Sequence, residues 1–224
     1  IAVNWSNNMI WVGTGENNSS RSSYSGVGIF KSVDKGKTWK YMGLPESQHI
    51  GRIILHPVNP NIVHVSVLGS LYSENENRGV YSTFDGGVTW RKSLFVNVNA
   101  GAVDLVMDPS NPNTMYAAIW ERTRRAWNFT ESGEGSGIYK TTDSGKTWTL
   151  LTNGSNGFPH TKGTGRIGLD IVRMRTGTML YAVVDNQDTR PKVKPEEDVL
   201  TKDQLRTMTA EQFLELKEEL VEKF

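Results

Sequence analysis

The chain contains many short stretches in which apolar and polar residues alternate, the pattern of half-buried β-strands. The stretches "GIFKS" from Gly28, "GVYST" from Gly79 and "GIYKT" from Gly137 all alternate in this way, and a polar turn follows each of them. A second alternating run begins with Thr-Trp directly after each turn. We therefore predict three hairpins, each made of two antiparallel strands.

A second hairpin pattern recurs upstream of the first. The stretches "RIILHPVNPNIVHVSVLG" (52–69) and "VDLVMDPSNPNTMYAAIW" (103–120) are pairs of alternating runs separated by a turn rich in Pro and Asn. Proline presets the backbone angle of such a turn and asparagine bonds nearby amides, so one strand ends there and the next begins. The opening "NWSNNMIWVGTG" resembles this hairpin with a truncated first strand, and residues 165–184 resemble another copy. Four strands therefore make up each repeating unit.

The repeat period indicates how these units are arranged. Asp34, Asp85 and Asp143 hold the same place in the three polar turns, 51 and 58 residues apart, and this spacing is typical of four-stranded propeller blades. We predict an all-β fold, a β-propeller segment of four-stranded antiparallel blades, about three and a half in number. Because a closed ring needs at least about four blades, we expect the remaining blades from a longer chain or from another molecule.

The three polar turns, "SVDKGKTW", "TFDGGVTW" and "TTDSGKTW", are predicted to be structural. The aspartate carboxylate can accept bonds from amides of its own turn, the glycine can adopt a positive φ, and the tryptophan can bury a large ring. A catalytic role is disfavoured because each residue recurs once per blade. The structural set is Asp34, Gly36, Trp39, Asp85, Gly87, Trp90, Asp143, Gly145 and Trp148.

The pattern changes after residue 188, and this predicts blades at 1–188 and a charged linker with a helical insertion at 189–224. Two short α-helices are predicted in this C-terminal tail, because the Thr-x-x-Gln capping signal occurs at Thr201 and again at Thr209. The second helix has an apolar stripe, which either packs on the blades or binds a partner. The stripe consists of Phe213, Leu216, Leu220 and Phe224.

Composition narrows the classes of partner. Lys and Arg number 25 and Asp and Glu number 24, so the net charge of +1 gives no electrostatic footprint for nucleic acid or an anionic membrane. The chain has no cysteine, which excludes disulfides and thiolate metal sites. It has no run of about 18 apolar residues that could span a bilayer. We predict neither a metal nor a cofactor.

The three polar turns resemble the Asp-box, also called the bacterial neuraminidase repeat. Together with "VGTGE", "HIGRI" and "WERTRRAWNF", their spacing resembles sortilin-type, glycosyl-hydrolase-like propellers of bacteria over roughly residues 1–185. The resemblance implies a β-propeller in which the tail is an insertion within a blade. It also implies an exported bacterial protein, whether periplasmic, cell-surface or secreted. It does not imply one activity, because sialidases, xyloglucanases, sortilin-type receptors and photosystem assembly factors all carry the Asp-box.

Candidate site residues lie where the first strand of each blade begins and in the loops beside it, since propeller ligands usually bind at the channel face. Arg52 in "HIGRI" and Arg166 in "TGRIGLD" hold matching positions, and they can converge on a carboxylate or sulfate or else bond strand carbonyls. The arginines and tryptophans of the loop 120–137 can bind a ligand or pack over a neighbouring blade. The predicted ligand-binding residues are Arg52, Arg166, His49, Tyr72, Trp120, Arg122, Arg124 and Trp127.

The sequence leaves three functions open. The first is a binding platform that holds a protein, a peptide or an anionic glycan on the channel face. The second is a glycoside hydrolase, sialidase-like or xyloglucanase-like, whose paired carboxyl groups would come from Glu16, Asp104 and Glu121. The stretches "GRII" and "GRIG" lack the proline of the sialidase Arg-Ile-Pro motif, and xyloglucanase-type aspartates find no match, which favours the platform. The third is an assembly factor.

Overall fold

The computed structural model describes residues 1–18, 23–189 and 200–222. The chain forms two compact units, Ile1–Asp188 and Thr189–Phe224. The first unit is built of β-strands. The second contains three short helices, which are α1 (Lys202–Thr207), α2 (Ala210–Leu214) and α3 (Glu218–Glu222).

Four antiparallel blades follow one another in the first unit. Three of them have four strands bonded in chain order, and the last contributes two long strands, so the predicted all-β propeller segment is confirmed. Blade 1 consists of β1 (Ala2–Asn4), β2 (Met9–Gly13), β3 (Ile29–Ser32) and β4 (Lys40–Tyr41), and blade 2 of β5 (Ile50–Leu55), β6 (Val63–Val67), β7 (Gly79–Thr83) and β8 (Arg91–Leu94). Blade 3 consists of β9 (Ala100–Asp108), β10 (Asn111–Glu121), β13 (Gly137–Thr141) and β14 (Thr149–Leu150), with the small hairpin β11 (Thr123–Arg124) and β12 (Phe129–Thr130) inserted, and blade 4 of β15 (Thr164–Met174) and β16 (Gly177–Asn186).

Hydrophobic cores lie between neighbouring blades. Trp11 of blade 1 packs with Val65 of blade 2, and further cores join blade 2 to blade 3 and blade 3 to blade 4. A blade between two others therefore buries both faces of its sheet. Strand β6 shows the consequence, because all five of its residues are buried although the sequence alternates there. Packing on both faces is the physical reason why radial stacking of small sheets is stable.

The alternating strand direction separates the connections into two faces. The loops between the second and third strands of each blade, and the links between blades, lie at one end of the sheets, which we call the loop face. The Pro-Asn turns and the Asp-box turns lie at the opposite end, which we call the Asp-box face. The starts of β5, β9 and β15 are therefore at the loop face.

Each Asp-box aspartate bonds the turn in which it lies. Asp34 accepts bonds from the Thr38 hydroxyl (2.6 Å) and from the Thr38 amide (2.9 Å), and these bonds lower its pKa to about 2. Asp85 and Asp143 are bonded in the same way by the threonine four positions later. Bonds from that threonine also hold the pKa of both carboxyls well below the usual range. The three carboxylates are thus engaged in hydrogen bonds within their own turns.

Two of the three Asp-box tryptophans join neighbouring blades. The Trp90 indole N–H donates to the Met42 carbonyl of blade 1 (2.7 Å), and that of Trp148 donates to the Ser93 hydroxyl of blade 2 (2.9 Å). Trp39 donates instead to a carbonyl of its own turn and is 44% exposed. The predicted burial of the ring is therefore wrong for Trp39, because no described blade packs on that side of blade 1.

The helical tail begins as predicted but is divided differently. Thr201 and Thr209 both form capping boxes, at the starts of α1 and α2. The predicted single second helix is wrong, since α2 ends at Leu214 and α3 begins at Glu218. Helices this short are marginal without packing, and none of the three described helices has a buried residue. Phe224, the last position of the predicted stripe, lies outside the described residues. Within the described ranges, no helix is long and apolar enough to cross a membrane.

Candidate functional site

Arg52 and Arg166 share one structural feature in blades 2 and 4. Each lies in a β-bulge with one extra residue near the start of its strand, within residues 50–53 of β5 and 164–167 of β15. A bulge redirects the side chains that it carries and often occurs beside binding sites. The Arg52 amide, displaced from the ladder, donates to the Ser66 hydroxyl (2.7 Å). The alternating pattern of the sequence does not reveal these bulges.

Asp104 connects the first strands of three blades. One carboxylate oxygen accepts bonds from Arg52 Nε of blade 2 (2.9 Å) and from its neighbour, the Leu105 amide (2.9 Å). The other oxygen accepts a bond from the Leu169 amide of blade 4 (3.0 Å). The Asp104 side chain is 14% exposed and that of Arg52 is 53% exposed. The carboxylate of Asp104 is therefore engaged by three donors, and Arg52 still reaches solvent.

A depression of about 130 Å³ opens at this point of the loop face. Arg52 and Arg166 both line it, and Asp104 is the one acidic side chain among its lining residues in the described part of the chain. The exposed Asp170 of β15 also attracts Arg52 electrostatically from outside this lining. Burial lowers the pKa of Arg166. All four blades contribute to the lining, which consists of Asn17, Gly51, Arg52, Val103, Asp104, Arg166, Ile167 and Gly168.

The inserted hairpin β11–β12 forms a second opening on the loop face. Tyr72 and Trp127 line a groove of about 650 Å³ together with Arg124 and Phe129. Trp127 is 86% exposed at the hairpin tip, and Tyr72 is also exposed. The groove and the depression share no lining residue. The predicted ligand-binding residues are therefore divided between two openings.

Several predicted residues are buried beneath the loop face. His49, Trp120 and Arg122 are all in the interior, and burial lowers the pKa of His49. Burial also lowers the pKa of Arg122 to about 10, with the nearby Arg78 as the second cause. These side chains pack beneath the loop face and are not exposed on it.

Arg78 is a residue that the sequence analysis missed. It is buried, and its guanidinium donates to the backbone carbonyls of Ser70 (2.6 Å), Ser73 (3.2 Å) and Asn99 (3.2 Å). Burial lowers its pKa to about 10. A single arginine before a strand belongs to no motif, so no signal in the sequence could have shown that it ties the β6–β7 loop to the next blade.

The family of the chain follows from a match over most of its length. The family model Sortilin-Vps10, described as "Sortilin, neurotensin receptor 3", matches residues 28–223. The chain belongs to the Sortilin-Vps10 family. The resemblance expected from the repeated turns is thus confirmed. No curated protein is significantly similar to this Sortilin-Vps10 chain.

Solved structures with similarity to the Sortilin-Vps10 chain include three GH74 enzymes. An ancestral GH74 enzyme has a TM-score of 0.48 and 17% identity, and the match covers 76% of this chain and 22% of that one. The GH74 enzyme of Niastella koreensis has a TM-score of 0.44 and 21% identity, and the match covers 71% of this chain and 22% of that one. The GH74 xyloglucanase of Xanthomonas campestris has a TM-score of 0.49 and 14% identity, and the match covers 80% of this chain and 27% of that one. The chain spans about a quarter of their length. Nothing about substrate or activity follows from similarities this low.

The three predicted catalytic carboxylates do not share one opening in the Sortilin-Vps10 propeller. Asp104 lines the depression, and Glu121 lines a separate groove with Glu134. Glu121 also accepts a bond from the Gly135 amide, which closes the loop around it. Glu16 is exposed on blade 1 and lines neither opening. Across the described residues, no group of three His, Cys, Asp or Glu side chains is placed to hold a metal ion.

Proposed function

We propose that this Sortilin-Vps10 propeller segment is a binding platform, and that Arg52 and Arg166 hold a carboxylate group of its ligand in the depression. The observation that carries the proposal is that two arginines from blades 2 and 4 line one small opening. Guanidinium groups hold carboxylates through paired hydrogen bonds. The ligand would be a protein or peptide segment, or a glycan that contains uronic acid.

The hydrogen bonds of Asp104 support the proposal that the ligand is an anion. Its carboxylate is shared among one guanidinium and two backbone amides, and Arg166 is not among its hydrogen-bond donors within the described residues. Arginine has five N–H donors, and the bond to Asp104 uses one of those of Arg52. The remaining donors of a 53% exposed side chain are available to an anion from solvent.

The size of the depression supports recognition of a single charged group. Its volume of about 130 Å³ is below the roughly 300–1,000 Å³ of pockets that enclose whole small molecules. A carboxylate at the end or on the side of a chain fits such an opening. The rest of the ligand would then lie across the loop face.

The placement of the carboxylates favours binding over glycoside hydrolysis. A glycosidase needs two carboxyl groups on either side of one bond, about 5 to 9.5 Å apart. Here Asp104 and Glu121 line different openings, and both are already bonded to backbone amides. Glycoside hydrolysis is therefore the less favoured function, and the turnover experiment described below would detect it.

The wider setting of the platform is also a proposal. Three and a half blades leave an incomplete ring, and we propose that the remaining blades belong to the rest of a longer protein. We also propose that this protein is exported and bacterial, as the family resemblance implies. Recovery of the native protein from periplasmic or surface fractions would test the location.

Binding can be tested with three probes and one substrate. The probes are an acidic pentapeptide with a free carboxyl terminus, its counterpart with glutamines and an amidated terminus, and a galacturonate oligosaccharide. We expect calorimetry to detect an acidic probe and not the neutral peptide, and Arg166→Gln to weaken binding about tenfold because it removes one charged clamp. Added salt should weaken binding as well.

The matched control is Arg175→Gln, which removes the same charge from the exposed turn between β15 and β16 on the Asp-box face. It should leave binding unchanged. Equal binding of the acidic and neutral peptides would contradict recognition of a carboxylate by Arg52 and Arg166, and no binding of any probe would contradict the platform itself. Turnover of a xyloglucan oligosaccharide that is abolished by Asp104→Asn or Glu121→Gln would favour the hydrolase instead.

A further inference from the structure

A continuous series of arginines and aromatic rings leads from the depression to the hairpin β11–β12. The guanidinium carbon of Arg166 lies 5.4 Å from the centre of the Trp120 ring, and that of Arg122 lies 5.1 Å from the same ring. Arg122 also lies 5.6 Å from the ring of Phe129, and Arg124 lies 4.7 Å from it. Trp120 is therefore the ring shared by the arginine of the depression and a buried arginine beside the hairpin.

The Trp120 ring is fixed by two independent features. It is 4% exposed and belongs to the hydrophobic core between blades 3 and 4. Its indole N–H donates to the backbone carbonyl of Glu131, across the inserted loop (2.6 Å). A ring held by both packing and a hydrogen bond offers a stationary surface for the cation above it.

The two arginines of the depression are oriented by different means. Arg52 is oriented by its bond to Asp104. The Arg166 guanidinium makes no hydrogen bond within the described residues. It lies over the Trp120 ring, and Asp104 attracts it electrostatically without bonding it. An arginine side chain loses considerable rotamer freedom when it binds a ligand, so a surface that restricts it beforehand strengthens binding.

We infer that Trp120 is a positioning residue that holds the Arg166 guanidinium over the depression and so prepares it to bind a carboxylate. This inference rests on the proposed function for its consequence in binding, although the position of Arg166 can be measured without a ligand. It also links the inserted loop to the depression, because the bond that Trp120 donates to the Glu131 carbonyl orients the ring on which Arg166 lies.

The test measures the Arg166 side chain directly. In a ¹H–¹⁵N spectrum of arginine Nε–H groups, the Arg166 signal is assigned by its disappearance in Arg166→Gln. We expect Trp120→Leu to move this signal, because the ring current is lost, and to weaken the acidic pentapeptide about tenfold. Trp120→Phe keeps an aromatic ring and should restore affinity to within about threefold of the wild type.

Two control variants separate positioning from loosening of the fold. Trp148→Leu removes a half-buried tryptophan of the same blade that bonds Ser93 of blade 2 on the Asp-box face. It should leave both the Arg166 signal and the affinity unchanged. Phe129→Leu, at the far end of the series, should move the signals of Arg122 and Arg124 and leave that of Arg166 in place.

The outcomes distinguish this inference from the proposed function. If the wild type binds the peptide and Trp120→Leu changes neither the Arg166 signal nor the affinity, Trp120 does not position Arg166. If Trp148→Leu weakens binding as much as Trp120→Leu, general loosening explains the loss and the inference fails. If no probe binds but the Arg166 signal moves only in Trp120→Leu, positioning is supported while the proposed function is rejected.

Discussion

At the residue scale, the Asp-box turns require more from the backbone than the one glycine that all three share suggests. Two successive residues have positive φ in every turn. In blade 2 both are glycines, Gly86 and Gly87, whereas the first position is a lysine in blade 1 and a serine in blade 3. The full set of φ values is 66° and 85° for Lys35 and Gly36, 75° and 93° for Gly86 and Gly87, and 59° and 79° for Ser144 and Gly145.

A substitution at Lys35 tests the cost of this conformation. Left-handed backbone costs a residue with a side chain about 1–2 kcal/mol, and the greater freedom of unfolded glycine offsets about 0.5–1 kcal/mol of that. We therefore expect Lys35→Gly to raise the free energy of unfolding by about 0.5 kcal/mol, measured from the midpoint of urea unfolding.

Ser144→Gly provides the comparison for Lys35→Gly. The Ser144 hydroxyl donates to the Asn113 side chain (2.6 Å), so the loss of this bond should cancel the gain in backbone freedom. A lower unfolding midpoint for Lys35→Gly than for the wild type would show that the turn is not strained at this position.

At the element scale, blades are joined through their Asp-box hairpins. Gly87 shows how closely the hairpin approaches the preceding blade, since a Cβ at this position would lie 2.7 Å from the Trp11 ring. The tryptophan after each turn adds a hydrogen bond across the same boundary in blades 2 and 3. The repeated motif therefore specifies both a hairpin and its attachment.

Replacement of the tryptophans tests this attachment. Trp90→Phe leaves the Met42 carbonyl of blade 1 without this donor, so we expect the free energy of unfolding to fall by about 1–2 kcal/mol. Trp39→Phe should cost less than about 0.5 kcal/mol, because the Trp39 ring is exposed and bonds only its own turn. Equal losses in the two variants, measured by urea unfolding, would contradict a role between blades.

At the scale of the whole propeller segment, Asp104 is the point where three blades are bonded by one side chain. Its removal leaves the Leu169 amide of blade 4 and the guanidinium of Arg52 without their acceptor. Bonds to a charged group contribute about 1.5–3 kcal/mol each in buried settings. Because the Arg52 side chain is more than half exposed, its bond to Asp104 contributes little to the free energy of unfolding.

We expect Asp104→Ala to lower the free energy of unfolding by about 2–3 kcal/mol. The matched control is Asp170→Ala, at an exposed aspartate of β15 whose carboxylate accepts a bond from the next amide in its own strand. Asp170 also attracts Arg52, but between exposed groups such an attraction contributes little to stability. That variant should change stability by less than about 0.5 kcal/mol. Thermal unfolding of both variants would separate the two, and a similar melting temperature for both would show that Asp104 does not join the blades.

Much of the fold could be predicted because its determinants are local and repeated. The polar turns close through bonds between residues four positions apart, and the capping boxes at Thr201 and Thr209 involve residues three positions apart. The candidate site could be predicted only in part. Matching sequence positions brought Arg52 and Arg166 to one opening, but Tyr72 and Trp127 line another. The sequence also left open whether Trp120 would contact a ligand or pack inside.

The sequence by itself determined the blade repeat, the hairpins and the Asp-box turns, since short-range bonding and alternation are written into neighbouring residues. Only the tertiary structure decided which side chains bond other parts of the protein and which remain available to a ligand. Asp104 finds donors 52 and 65 residues away, Trp90 finds its acceptor 48 residues away, and Trp120 meets an arginine of the next blade. Such partners depend on how blades stack and where strands bulge, and no local pattern in the chain encodes that geometry.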